Sequence, residues 1–204
     1  MVQKSSPTAK RLGRRPGFDR DAVVAAAIQP FWAKGFEATT LSDLEAATGV
    51  DRSSIYNSFG GKEGLYHSAA SAYVDSAEEV LFEPLHRGSA GIADIIEFLD
   101  RLAANLRTGT NPQGCFIVND MAADVDHQST DRYLERLEDG LRAALERAST
   151  SGETQANMVI QRCQLLTSAI LGVNITHRND KTGTRATNLI NALRSEVRSW
   201  AVLQ

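Results

Sequence analysis

Proline is scarce in this 204-residue chain, with 5 residues, and aromatic side chains make up only 6%. Few prolines leave helices uninterrupted, and the abundance of Ala, Leu, Glu and Arg favours helix over strand. The two cysteines, Cys115 and Cys163, lie far apart without zinc-ligand spacing. That argues against a disulfide scaffold or a zinc site and fits a reducing, cytoplasmic setting. No window approaches the roughly 20 uninterrupted apolar residues of a membrane span, and the polar, basic N-terminus does not read as a secretory signal. Hydrophobic residues make up 42% and charged residues 23%, too apolar for a disordered chain and enough for a buried core.

Charge of one sign is missing where it matters. The net charge is −3, yet the five basic residues before Gly17 (Lys4, Lys10, Arg11, Arg14 and Arg15) face no acid. A basic arm ahead of an acidic body suits contact with a polyanion at one end only.

Met1 to Gly17 reads as a flexible arm. Helical periodicity begins at Asp19 and places Val24, Ala27, Ile28 and Phe31 on one face, with Pro30 expected to kink or shorten the last turn and Gly35 to end it. Thr40 caps a short helix that turns Leu41, Leu44 and Ala47 inward. Gly49 makes a tight break, Val50 anchors it, and Asp51 caps a third helix. A long helix is expected from Lys62 to about Phe82, stopped near Pro84. Further segments follow: one capped by Ser89, the loop TGTNPQG, a short apolar helix from about Cys115 to Ala123, and one over about Thr130–Ala148. Two long helices close the chain, to His177 and Leu203. The expectation is an all-α chain of about nine helices in two units, 18–64 and 65–204.

Between Asp19 and Ser58 the spacing is that of a helix-turn-helix. Its turn needs a glycine flanked by a small residue, here Ala47, and an apolar anchor, here Val50. Ile55 and Phe59 point inward, while Arg52, Ser53, Ser54, Tyr56 and Asn57 are left outward and can bond to bases or phosphates. Lys62 opens the next helix, whose free N–H groups favour a phosphate.

The run GFEATTLSDLEAATGVDRSSIYNSFGGKEGLY, Gly35 to Tyr66, resembles the DNA-binding domain of the tetracycline-repressor (TetR) family of bacterial regulators. The resemblance extends back through Phe31 and Ala26 and rests on Gly49-Val50, Tyr56, Phe59, Lys62-Glu63 and Leu65. It implies groove contacts from Arg52 and Ser53, and phosphate contacts from Thr40, Ser54, Tyr56, Asn57 and Lys62. Ser58 departs from a frequent histidine, Asn57 from an aromatic or basic residue, and Pro30 from an aliphatic one. By the same resemblance, a larger C-terminal domain would bind an effector and dimerise. The partners implied are operator DNA, a second copy of the chain and a small molecule, with no membrane and no cofactor.

The middle helices supply a candidate effector lining of Tyr73, Phe98, Leu102, Phe116, Met121, Tyr133 and Leu137, apolar and compatible with an aromatic ligand; plain core packing explains the same residues. Cys115, at a helix start in a Gly-Cys-apolar-apolar-x-Asn pattern similar to one branch of the family, is either a thiol of lowered pKa or a packed small hydrophobe. A dimer would bury Leu165, Ala169, Gly172 and Val173 on one closing helix against Leu189, Leu193, Val197 and Trp200 on the other.

Other chemistry finds little support. GGKEG lacks the rest of a phosphate loop, the four histidines are scattered, and Asp120, Asp124 and Asp126 lack calcium-loop spacing and read as a solvated face. No nucleophile elbow appears, so an enzyme is not indicated. Two alternatives to an effector-responsive repressor stay open at this level: a constitutive DNA-binding architectural protein, and an all-α ligand module or enzyme whose N-terminal motif is fortuitous.

Overall fold

The computed structural model describes residues 17–107, 114–121, 125–180 and 182–201. The basic arm, most of the loop before Cys115, Asp124 and Leu203 lie outside the described residues. Those described are helical throughout, with no strand among them.

Helix α1 (Arg20–Ala38) is capped by Asp19, whose carboxylate accepts from the Asp21 and Ala22 amides. It buries Val23, Val24, Ala27 and Phe31. Pro30 does not end it. The bend falls at Gly35, with φ 78° and ψ 167°, and beyond it the buried Thr39 ties the turn by donating its hydroxyl to Gly35 O at 2.7 Å and Pro30 O at 3.2 Å. Helices α2 (Leu41–Thr48) and α3 (Arg52–Phe59) follow, each ended by a left-handed glycine.

Helix α4 (Lys62–Ala77) is expected to stop near Pro84 but does not. A π-helical segment, Glu78–Phe82, carries the rod into α5 (Glu83–Arg87). Proline has no N–H to give the carbonyl four residues back; that carbonyl, Val80 O, accepts instead from Arg101 Nη1. Counting α4, the π segment and α5 as one rod gives nine helices among the described residues. The expected boundary between units at residues 64 and 65 falls inside α4, whose Leu65, Tyr66, Ala69 and Ala70 are buried.

Ser89 does not cap α6 (Ile92–Arg107). The helix begins later because the buried Asp94 turns back to accept from the Ala90 and Gly91 amides, and Arg147 pairs with it at 2.9 Å. The short α7 (Phe116–Asp120) has Cys115 as its N-cap. Asp126 caps α8 (His127–Thr150), and α9 (Val159–Asn179) and α10 (Thr184–Trp200) close the described chain. Asp120 and Asp126 are not a solvated face: Asp120 accepts from Tyr66 Oη at 2.6 Å, and Asp126 faces His67 Nδ1 at 3.2 Å.

One stretch, Ala156–Asn179, is long and apolar enough to cross a membrane, with a mean hydropathy of 1.3. Its inner face is spent on the protein's own core through Cys163, Leu166, Ile170 and Val173.

Candidate nucleic-acid interface

The three N-terminal helices hold an exposed polar strip against a buried apolar face. On α3, Ile55 and Phe59 are buried while Arg52, Ser53, Tyr56 and Asn57 are exposed and Ser54 is half-buried. Spacings of three and four residues put the outward set on one side of the helix.

The turn before α3 is set by Gly49 at φ 69°, a conformation costly for residues with a Cβ. Val50 anchors it as expected. Ala47 does not, since it is exposed; the neighbouring Thr48 is half-buried and donates its hydroxyl to Leu44 O at 2.6 Å. A second glycine, Gly64, went unmarked in the sequence. A Cβ there would lie 1.8 Å from Phe59 O, so α4 can pass the end of α3 only as glycine.

Each candidate contact has its own setting. Thr40 and Asp43 form a reciprocal capping box at the start of α2. Lys34 donates to Asp43 at 2.6 Å, and with the Thr40 bonds this holds the Asp43 carboxyl down at about 2. Asp51 accepts from the Ser54 amide at 2.8 Å and from the Ser53 hydroxyl at 2.6 Å. Arg52 lies back over α2: Nε donates to Glu45 at 3.1 Å and Nη2 to Ser42 Oγ at 2.7 Å. Glu45 and Ser42 together set where the guanidinium rests. Tyr56 is 56% exposed, a large ring left in solvent.

Lys62 is the exception. Its ammonium donates to Phe36 O at 2.9 Å, Thr39 O at 3.1 Å and Glu37 O at 3.4 Å, and lies 4.3 Å from the centre of the Phe36 ring. It closes the C-terminal end of α1, where carbonyls lack helical partners. A phosphate contact is expected of this ammonium; in this structure it rests on three internal carbonyls instead. Arg20, also unmarked in the sequence, donates to Ser58 O and stacks 4.1 Å from the Phe59 ring centre, so α1 braces the far end of α3.

Electrostatics sharpen the role of the arm. From Gly17 to Tyr66 the bases are Arg20, Lys34, Arg52 and Lys62 against seven acids, so 4 − 7 = −3. Every unit of basic excess in the N-terminal third comes from the arm.

The chain was then compared with known proteins. A family profile described as "Bacterial regulatory proteins, tetR family" matches residues 23–69. The HTH-type transcriptional repressor ComR of Escherichia coli K12 is 34% identical over 124 residues, 58% of either chain, so this chain spans somewhat over half of that relative. The HTH-type regulator YezE of Bacillus subtilis is 31% identical over 147 residues, 70% of this chain and 76% of its own. The chain belongs to the TetR family. Among solved structures, a cysteine mutant of the TetR-family regulator CifR, complexed with 26-base-pair operator DNA, superposes with a TM-score of 0.76 at 21% identity, covering 92% of this chain and 100% of that one. A TetR regulator from Chloroflexus aurantiacus gives 0.75 at 22% identity over 91% and 94%.

The rest of this TetR-family chain revises two expected sites. Phe98, Leu102, Phe116, Tyr133 and Leu137 are buried, with Tyr73 and Met121 packed against them. They form interlocked core, as in Tyr73 on Phe116 at 5.6 Å and Phe82 on Tyr133 at 5.3 Å between ring centres. An open cavity of about 290 Å³ lies beside this cluster between α1, α4 with its π extension, and α6, and shares only Tyr73 with the expected lining. Cys115 is buried, with Tyr73 Oη 3.5 Å from Sγ. Burial pushes its thiol pKa up, against the lowering expected at a helix start; a five-residue helix is too short to offset desolvation.

The expected dimer stripe divides in two. Val173, Val197 and Trp200 are buried in their own chain, with Arg162 stacked 4.4 Å from the Trp200 ring centre, so they cannot meet a partner. Leu165 and Leu189 are exposed, and Ala169, Gly172 and Leu193 are half-exposed. Ile175, absent from the expected set, is 54% exposed on the same helix as Leu165. Leu165 and Ala169, four residues apart, both keep some exposure, whereas Val173 rotates inward because 3.6 residues per turn carries an eight-residue interval past the face.

Proposed function

We propose that the protein is a cytoplasmic transcriptional repressor that binds a palindromic operator as a homodimer and is released by a small molecule. The observation that carries this reading is the α3 surface: Arg52, Ser53, Tyr56 and Asn57 outward on a helix whose other side is pinned by Ile55 and Phe59. α3 enters the major groove with Arg52 on a base edge and Ser53 beside it. Thr40, Ser54, Tyr56 and Asn57 flank the phosphates, and Lys62 and Arg20 hold α1 and α3 in register. The arm supplies the positive charge that the described helices lack.

The outward apolar residues of α9 and α10, with Leu165, Ile175 and Leu189 exposed, suit a four-helix interface between two copies. Two recognition helices in one dimer would then engage half-sites about 34–36 Å apart. ComR and AcnR of Corynebacterium glutamicum, 34% and 27% identical, are repressors by name, which favours repression. No role as an enzyme is proposed.

The test is a binding series on DNA from upstream of the protein's own gene and on scrambled DNA, run at several salt concentrations. Preference for the upstream DNA, with affinity falling as salt rises, is the expected result. Equal affinity for both, or none for either, would refute the reading.

A further inference from the structure

The cavity between α1, α4 and α6 is walled by Ile28 and Trp32 of α1, Tyr73 and Ser76 of α4, Val80 of the π segment and Asn105 of α6. Among the described residues, no charged side chain lines it. At about 290 Å³ it is near the lower end of ligand pockets, and apolar walls with a few polar groups are the usual make-up of such sites. Trp32, whose ring helps to line the groove, has an indole N–H that is shielded from solvent, groove included, and has no acceptor among the described residues. Such a donor destabilises the state that contains it.

We propose that this groove is the effector site, and that it takes a small neutral aromatic carrying one hydrogen-bond acceptor. The proposal rests on the ligand-responsive reading above and gives it a place and a ligand chemistry. The absence of charge in the lining excludes carboxylates and amines, which would lose hydration without a counter-ion. The ring of the ligand lies against Trp32, Tyr73 and Ile28, and its acceptor takes the Trp32 N–H.

Because that N–H is shielded in this structure, the bond forms only once the Trp32 ring reorients, and a ring held by α1 passes that movement to the helix. A ligand that binds the shifted state better moves the population toward it. The shift reaches DNA directly, since α1 braces the recognition helix through Arg20 to Ser58 O and is closed at its other end by Lys62. The groove adjoins the packed cluster around Cys115 through Tyr73, which lines the one and bonds the thiol of the other.

The experiment follows the indole N–H signals of 15N-labelled full-length protein by NMR. Trp32 and Trp200 are the two tryptophans, and Trp200 Nε1 already donates to Glu196 at 3.0 Å, which makes it an internal control. Acetophenone is the probe, ethylbenzene its counterpart without an acceptor, and benzoate the charged one. The expected result is a saturable downfield shift of the Trp32 signal with acetophenone, a smaller one with ethylbenzene and none with benzoate, while Trp200 stays still. Ser76→Phe, at an exposed position on the rim, fills the mouth without touching the core and abolishes the response. In parallel, saturating acetophenone weakens binding to the upstream DNA by about tenfold in the wild type and not in Ser76→Phe.

A silent Trp32 signal, equal movement of both indoles, or an undiminished response in Ser76→Phe overturns the proposal. A Trp32 response blocked by Ser76→Phe, in a protein that never prefers the upstream DNA, refutes the regulatory reading while leaving the groove as a ligand site. Intact DNA preference with a silent Trp32 refutes the groove alone.

Discussion

The helix-turn-helix and the helical body solve opposite problems. In the first, polar side chains are held in place on the outside: Asp43 by Lys34 and Thr40, Arg52 by Glu45 and Ser42. In the body, the polar groups of greatest chemical interest are shut inside, as with Cys115 between Tyr73 and Tyr133. An interface for DNA needs charge poised at the surface, whereas a core that transmits movement needs groups that do not react with solvent. The two regions should therefore fail under different insults.

The largest expected effect is steric. Gly64→Ala places a methyl group against Phe59 O, so α3 and α4 must part, at a cost of about 3 kcal/mol. Urea unfolding should report the loss and operator binding should vanish. The counterpart in the body is Gly172→Ala, where a Cβ meets nothing within 4 Å. It should leave protomer stability unchanged or raised by up to about 1 kcal/mol. If both substitutions behaved alike, the contrast between the regions would be lost.

Next in size is self-association. Leu165→Glu or Ile175→Glu should turn a dimer into a monomer by sedimentation at micromolar concentration with helix content retained. Val197→Ala should instead lower stability by about 1–3 kcal/mol, because Val197 is buried in its own chain. A wild-type monomer would contradict the interface.

The legibility of the sequence followed the range of each signal. Caps and turns are local, so Thr40, Asp51, Gly49 and the Ile55–Phe59 face could be read from spacing alone. Ala47 failed because a turn motif does not say which of two adjacent residues faces the core. The internal bonds of Lys62 were not legible because its partners lie 23 to 26 residues away, at the end of α1. The apolar periodicity of the middle helices identified buried residues correctly but could not tell a filled core from the walls of a cavity. The groove depends on how α1 packs on α4 and α6 on the π segment, which no local pattern encodes.

A smaller, graded effect comes from pH, and it acts on both the acid and the alkaline side. Asp43 is held below its ordinary value, so its contribution is complete above about pH 4 and lost as pH falls toward 2. Cys115, Tyr73 and Tyr133 are raised by burial, so their neutral forms support the fold up to about pH 8.5 and stability falls as alkaline pH ionises the unfolded chain. Unfolding midpoints across the pH range should show an acid-side loss that Asp43→Asn reduces, since Asp126 and Asp180 are also held low, and an alkaline-side loss that it does not touch.

The smallest effect expected is at Cys115 itself. A buried thiol of raised pKa should react slowly with iodoacetamide in the folded protein, and Cys115→Ser should leave operator affinity within about twofold. Rapid alkylation of the native chain would show that the body is more open than its packing indicates.

The central claim is that the outward face of α3 reads DNA, and Arg52 tests it most directly. Binding isotherms on upstream and scrambled DNA should be measured for the wild type and Arg52→Ala at matched salt. The account predicts that the substitution costs about 1–3 kcal/mol on the upstream DNA, roughly 5- to 150-fold in affinity, and far less on the scrambled sequence. Equal loss on both sequences, or no loss on either, would contradict it.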